Sequence, residues 1–218
     1  MKNKDLSRTL GGFYEALFRS FGPQLWWPAR TRFEVVVGAI LTQNTNWTNV
    51  EKAIRNLRRE KLLKPGAMHA LGVKALAERI RPAGYFNVKA KRLKAFLSHL
   101  FDNYGGGIDA FLKKETGVLR RELLTVNGIG PETADSIVLY AAGKPVFVVD
   151  AYTKRVLTRH GLIGEDAAYD EMQKLFMDNL PHEAGTFNEY HALIVRVGKE
   201  FCRPREPLCT DCPLGGFL

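Results

Sequence analysis

An all-α chain is what this sequence predicts, on three observations. Apolar residues recur at helical spacing through most of its length, no polar–apolar alternation runs long enough for a sheet, and Gly or Pro breaks separate the stripes. With 218 residues it can bury a substantial core, as one domain or two small ones.

The first stripe joins Leu6, Leu10, Phe13, Leu17, Phe18 and Phe21, and Gly22-Pro23 ends it. Thr31-x-x-Glu34 is a capping-box pattern. It opens a helix through Val35, Val36, Val37, Ala39, Ile40 and Leu41, apolar on every side and so expected to be buried. Gln43-Asn44-Thr45-Asn46-Trp47 interrupts it. A further helix follows with Val50, Ile54 and Leu57 on one face and Lys52, Arg55, Arg58 and Arg59 on others. Lys64-Pro65-Gly66 breaks the chain, and short helices are expected around Met68–Leu71 and Val73–Ile80. From Val88 to Leu100, Leu93, Phe96, Leu97 and Leu100 point inward, with the cations from Lys89 to Lys94 set against them. Gly105-Gly106-Gly107 reads as a flexible joint, Val146–Val149 as a short extended run. The last helices fall near Ala151–His160, Ala168–Leu180 and Phe187–Phe201.

Lys plus Arg outnumber Asp plus Glu by 32 to 23, a formal charge of +9 and a pI near 9.5. That balance favours a polyanionic partner, nucleic acid before membrane, since no lipid-binding feature accompanies it. No run of eighteen apolar residues occurs and Met1-Lys2-Asn3-Lys4 does not open a signal peptide, so a soluble, cytoplasmic, nucleoid-associated protein is expected. Three cysteines, all within the final seventeen residues, have the look of a ligand cluster and not of a disulfide framework.

The most informative stretch runs from Leu123 to Arg155. It begins Leu123-Leu124-Thr125-Val126-Asn127-Gly128-Ile129-Gly130-Pro131-Glu132-Thr133-Ala134. The glycine pair can supply positive-φ geometry, and Pro131 suits a first helical position. Ala134, Ile137, Val138 and Ala141 then continue at helical spacing. A tight turn thus feeds a helix N-terminus, whose orphan N–H groups suit a phosphate. Val148-Val149-Asp150 follows, with Asp150 eighteen residues beyond Glu132.

This string resembles the helix–hairpin–helix motif of the endonuclease III superfamily of DNA glycosylases. The likeness extends from about Leu10 to the C-terminal cysteines. It implies two helical domains, 24–143 carrying the hairpin and 1–23 plus 144–218, with the active site in the cleft between them. It also implies a monomer acting on double-stranded DNA that holds a damaged base, with Gly128, Ile129, Gly130 and Thr133 contacting the backbone. Asp150 matches the aspartate that stabilises the oxocarbenium-like sugar or activates water as the base departs; by its position it is equally a helix N-cap. Glu132 stands where strand-cleaving members carry a lysine, and a glutamate cannot form their Schiff base, so lyase activity is not expected.

Leu41-Thr42-Gln43-Asn44-Thr45 followed by Trp47, together with Trp26-Trp27-Pro28, resembles the 3-methyladenine DNA glycosylase III branch of that superfamily. The likeness implies that Trp26, Trp27, Pro28 and Trp47 bracket an extruded, alkylated purine, whose positive charge suits aromatic faces. Gln43 matches the residue that fills the space of the flipped nucleotide. Lys199 approaches the cleft in family terms, although a solvated helix-end lysine accounts for it as well. Cys202-x6-Cys209-x2-Cys212 reproduces three quarters of the family's iron–sulfur loop, but position 218, the place of the fourth ligand, is leucine. Three cysteines without metal is the favoured state, a [4Fe-4S] cluster held by three cysteines and an outside ligand or an altered terminus are the alternatives, and the chemistry requires no cofactor. The expected activity is monofunctional excision of alkylated purines such as 3-methyladenine. The rivals are a bifunctional enzyme acting on oxidised pyrimidines and a helix–hairpin–helix protein that binds DNA without catalysis.

Overall fold

The structure, a computed structural model, describes residues 3–218. Twelve α-helices and no strand occur among the described residues, so the all-α expectation holds. They are α1 (Asn3–Phe21), α2 (Arg32–Thr42), α3 (Trp47–Arg59), α4 (Pro65–Ala70), α5 (Val73–Arg79), α6 (Phe86–Tyr104), α7 (Ile108–Leu112), α8 (Thr116–Thr125), α9 (Pro131–Ser136), α10 (Ala151–Arg159), α11 (Tyr169–Met177) and α12 (Ala184–Glu200). No helix among the described residues is long and apolar enough to cross a membrane. Two compact units result: Trp27–Ala142, and the chain up to Trp26 together with Gly143–Leu218.

The unit Trp27–Ala142 is built around α2. Its residues from Phe33 to Leu41 are all buried, as an all-round apolar helix must be, and α3, α6, α7 and α9 pack against it. Only half of the expected capping box forms there. The Thr31 hydroxyl accepts from the Glu34 amide at 3.1 Å, but the Glu34 carboxylate pairs with Arg58 of α3. The glycine triplet is not a loose joint either. Gly105 sits at φ +57 and closes α6, while the Phe101 ring occupies the space beside Gly106 that a side chain would need. Beyond α9 the helix widens into a π turn over Ile137–Ala141, which hydrophobic spacing does not encode.

In the other unit α12 is the central element and packs on α1 and α10. Phe147, from the extended run, stacks on Phe176 at 3.8 Å, and Phe187 and Tyr190 close the cluster edge-on. Tyr190 is fully buried and satisfies its hydroxyl on the Leu10 carbonyl at 2.8 Å, tying α12 to α1.

Candidate functional site

The hairpin needs one special backbone geometry, at Gly128. This residue has φ +86, and a Cβ built there would stand 2.3 Å from Cγ of Arg92. Gly130 differs from the expectation for a glycine pair. Its φ of −94 and ψ of 179 are open to any residue, and nothing lies within 4 Å of where its Cβ would be. It is exposed, so what it offers is an approachable backbone at the N-cap of α9. Ile129 plugs the turn into the core, and Thr133 is buried behind it. Arg120 of α8 grips the fully buried Asp135 of α9 through two bonds, 2.7 and 3.1 Å, fixing the helices that flank the turn. Glu132 is exposed in the first turn of α9, where its charge meets the helix dipole favourably.

Gln43 lies at the C-cap of α2, and its side chain is turned onto the hairpin. Nε2 donates to the Gly128 carbonyl and to Thr133 Oγ1, both at 2.9 Å, and Oε1 accepts from Arg92 of α6. The two Nε2 bonds reach residues 85 and 90 positions away in sequence. Arg92 and its neighbour Lys89 are the residues that sequence reasoning missed. Lys89 is only 1% exposed, and Nζ donates to the carbonyls of Leu41 (2.9 Å) and Ala83 (2.7 Å). Burial, helped by the Arg92 charge, pulls its pKa down to about 8.

Asp150 is the N-cap of α10. Its Oδ1 accepts from the Thr153 amide at 2.8 Å and the Thr153 hydroxyl at 3.0 Å. Its Oδ2 lies 3.6 Å from Nε2 of His191, a buried residue of α12 that sequence reasoning also missed. Burial pushes the carboxyl up, but His191 and the Thr153 donors outweigh it and hold the group below the ordinary carboxylate range. The capping and ionised-carboxylate readings of Asp150 are thus satisfied by one geometry. Lys199 is exposed in the last turn of α12, its ammonium 5.8 Å from the centre of the Tyr152 ring.

Trp27, Pro28 and Trp47 line a cavity of about 200 Å³ together with Glu34, Gly38, Glu51, Arg55 and Arg58. Trp27 packs over Gly38, where a Cβ would meet its ring at 3.1 Å. The two indoles meet edge to face, with centroids 5.0 Å apart and planes at 86°, and the Trp47 N–H donates to Glu51 at 2.9 Å. Rings so arranged leave no slot between them, so a parallel sandwich is not what this pair offers. The expected set is also divided: Trp26 belongs to the other unit and does not line the cavity.

At the C-terminal loop, Cys202 is buried and its sulfur accepts from Arg159 at 3.0 Å. Arg155 binds the carbonyls of Cys202 and Gly198, so two arginines of α10 anchor the loop. Cys202, Cys209, Cys212 and Leu218 share the lining of a cavity of only about 10 Å³, and burial pushes the Cys212 thiol up. Three thiols and an alkyl group do not match a four-thiolate cluster. No group of three or more His, Cys, Asp or Glu among the described residues is disposed to hold a metal ion.

Comparison with known proteins gives consistent likenesses. The model of the HhH-GPD superfamily of base excision DNA repair proteins matches residues 37–182. A candidate DNA repair glycosylase of Methanocaldococcus jannaschii is 52% identical over 205 residues, covering 94% of this chain and 93% of that protein. Endonuclease III of Bacillus subtilis is 27% identical over 182 residues, 84% of this chain and 78% of its own. Among solved structures, the H. pylori 3-methyladenine DNA glycosylase bound to 1,N6-ethenoadenine aligns with a TM-score of 0.75 at 28% identity. That alignment covers 92% of this chain and 98% of the other.

Proposed function

Because this chain belongs to the HhH-GPD superfamily of base excision DNA repair proteins, we propose that it is a monofunctional DNA N-glycosylase acting on alkylated purines such as 3-methyladenine. The observation that carries the chemistry is Asp150, a carboxylate held ionised and oriented by Thr153 and His191. As the bond to the base stretches, the sugar gains positive charge that was absent in the ground state. A fixed carboxylate therefore lowers the barrier more than it strengthens binding. The same group accepts a proton from the attacking water. Oδ1 is committed to the cap, so this work is assigned to Oδ2, which stands 3.6 Å from His191 Nε2. Strand cleavage through an imine needs an amine, and Glu132 at the motif position supplies none.

The lesion class rests on the cavity of Trp27, Pro28 and Trp47, whose indole faces attract a cationic base. An alkylated purine also leaves readily, so no general acid is required. The structural relative from H. pylori is a 3-methyladenine glycosylase seen with a modified adenine, which supports the same class. DNA binding is assigned to the hairpin, with Gly128, Ile129, Gly130 and Thr133 shaping a backbone that faces phosphate. The test is product analysis on duplexes bearing 3-methyladenine, oxidised pyrimidines or an abasic site, with borohydride present. Free 3-methyladenine and no trapped covalent complex are expected. Release of oxidised pyrimidines with a trapped adduct would assign the chain to the bifunctional class instead.

A further inference from the structure

The polar residues around the hairpin form one chain of contacts that starts on α6. Lys89 and Arg92 lie one helical turn apart and reach the end of α2 together. Lys89 holds the Leu41 carbonyl, two residues before Gln43. The Arg92 stem fills the place that a side chain at Gly128 would take, and its guanidinium donates to Gln43 Oε1. Arginine has no acceptor, so this bond decides which way the Gln43 amide faces: oxygen to Arg92, nitrogen to the hairpin. With the amide so turned, Nε2 spans the Gly128 carbonyl and the Thr133 hydroxyl, closing the turn from outside.

We propose that Arg92 is a positioning residue for DNA binding: acting through Gln43, it latches the hairpin loop in the geometry that meets the phosphate backbone. This rests on the reading of the hairpin as the DNA contact. Arg92 itself does not touch phosphate in this scheme.

A double-mutant cycle tests the latch, using the affinity of the full chain for a duplex with a stable abasic-site analogue. Arg92→Met keeps the stem beneath Gly128 and removes the donors. Gln43→Leu removes the amide at little change in volume. Each is expected to weaken binding about tenfold, the scale of one charge-assisted hydrogen bond. The double variant should bind about as weakly as Arg92→Met alone, because both changes cut one connection. Arg92→Lys should recover much of the loss. The slope of log affinity against log salt should stay at the parent value, whereas loss of a direct phosphate contact lowers it by about one. Losses that multiply in the double variant, or a reduced salt slope for Arg92→Met, overturn the latch. Gly130→Val, which the open surroundings of that residue allow to fold, tests the underlying reading by obstructing the exposed backbone. Unchanged affinity in that variant sinks the hairpin reading and the latch with it. Weakened affinity there with a multiplicative cycle sinks the latch alone.

Discussion

Lys89 offers a quantitative test of the packing around α2. Its ammonium is buried between two carbonyls, and its pKa falls from 10.5 in the unfolded chain to about 8. The folded protein therefore releases the proton near pH 8, while the unfolded chain keeps it to about pH 10.5. Below pH 8 the full penalty for burying the charge is present, and it is relieved as pH climbs through that window. At 1.36 kcal/mol per pKa unit, the gain in stability across it is about 3 kcal/mol. A neutral amine still has two N–H donors for the two carbonyls, so the contacts survive the loss of the proton. Lys89→Met removes the titration. Chemical unfolding of both proteins at intervals from pH 7 to pH 10.5 should show the wild type gaining about 3 kcal/mol on the variant. Tyr14, Tyr190 and Lys114, whose pKa values are raised, titrate in both proteins and cancel in the difference. A flat difference between the two curves would mean that Lys89 is solvated, and would remove the anchor of the α2 terminus.

Three further outcomes are expected. Asp150→Asn keeps a capping oxygen but no charge, so single-turnover release of 3-methyladenine should fall at least a hundredfold while binding to an abasic analogue persists; a variant with most of its rate would remove Asp150 from the mechanism. His191→Phe takes away a contact that lowers the Asp150 pKa, so the acidic limb of the rate profile should move to higher pH. A limb that stays in place would limit His191 to packing. Trp47→Ala should slow excision tenfold to a thousandfold, from ~1–3 kcal/mol of stacking plus ~0.5–2 of cation–π attraction; Trp47→Phe should keep much of the rate. Equal losses in melting temperature, abasic-DNA affinity and excision in the alanine variant would limit Trp47 to packing.

What could be read from the sequence was whatever repeats or occurs as a contiguous string. The burial of α2 follows from an unbroken apolar segment, and the hairpin follows from Leu123 to Ala134 in order. What escaped were pairings between distant polar residues. Lys89 sits among Lys91, Arg92 and Lys94, and a cation in such company reads as solvated; only the three-dimensional fold shows which turn of α6 faces Leu41. Glu34 looked like the second half of a capping box because spacing cannot show that Arg58 competes for it. Gly128 and Gly130 look alike in a string, yet only the former needs a positive φ and a missing side chain. Trp26 and Trp27 are adjacent, but the boundary between the two units falls between them.

If the Trp27–Trp47 cavity receives the base as proposed, its composition limits how far charge alone can select a lesion. Two carboxylates and two guanidinium groups line it, so its formal charge is zero. Glu34 is committed to Arg58, and Glu51 to the Trp47 indole N–H. Glu51 keeps its negative charge beside the Trp47 N–H, but with the lining neutral overall the preference for the cation is assigned to the indole faces. Cation–π attraction of ~0.5–2 kcal/mol corresponds to a preference of roughly twofold to thirtyfold over a neutral base of the same shape. Discrimination beyond that must arise in the chemical step, where an alkylated base departs without protonation and an intact purine does not. Selection against normal adenine should therefore lie in the excision rate and not in binding. A saturating single-turnover comparison of 3-methyladenine with adenine, beside their competitive affinities, separates the two. Affinities that differ by more than a hundredfold would show instead that a charged group of the cavity, Glu51 first, pairs with the base.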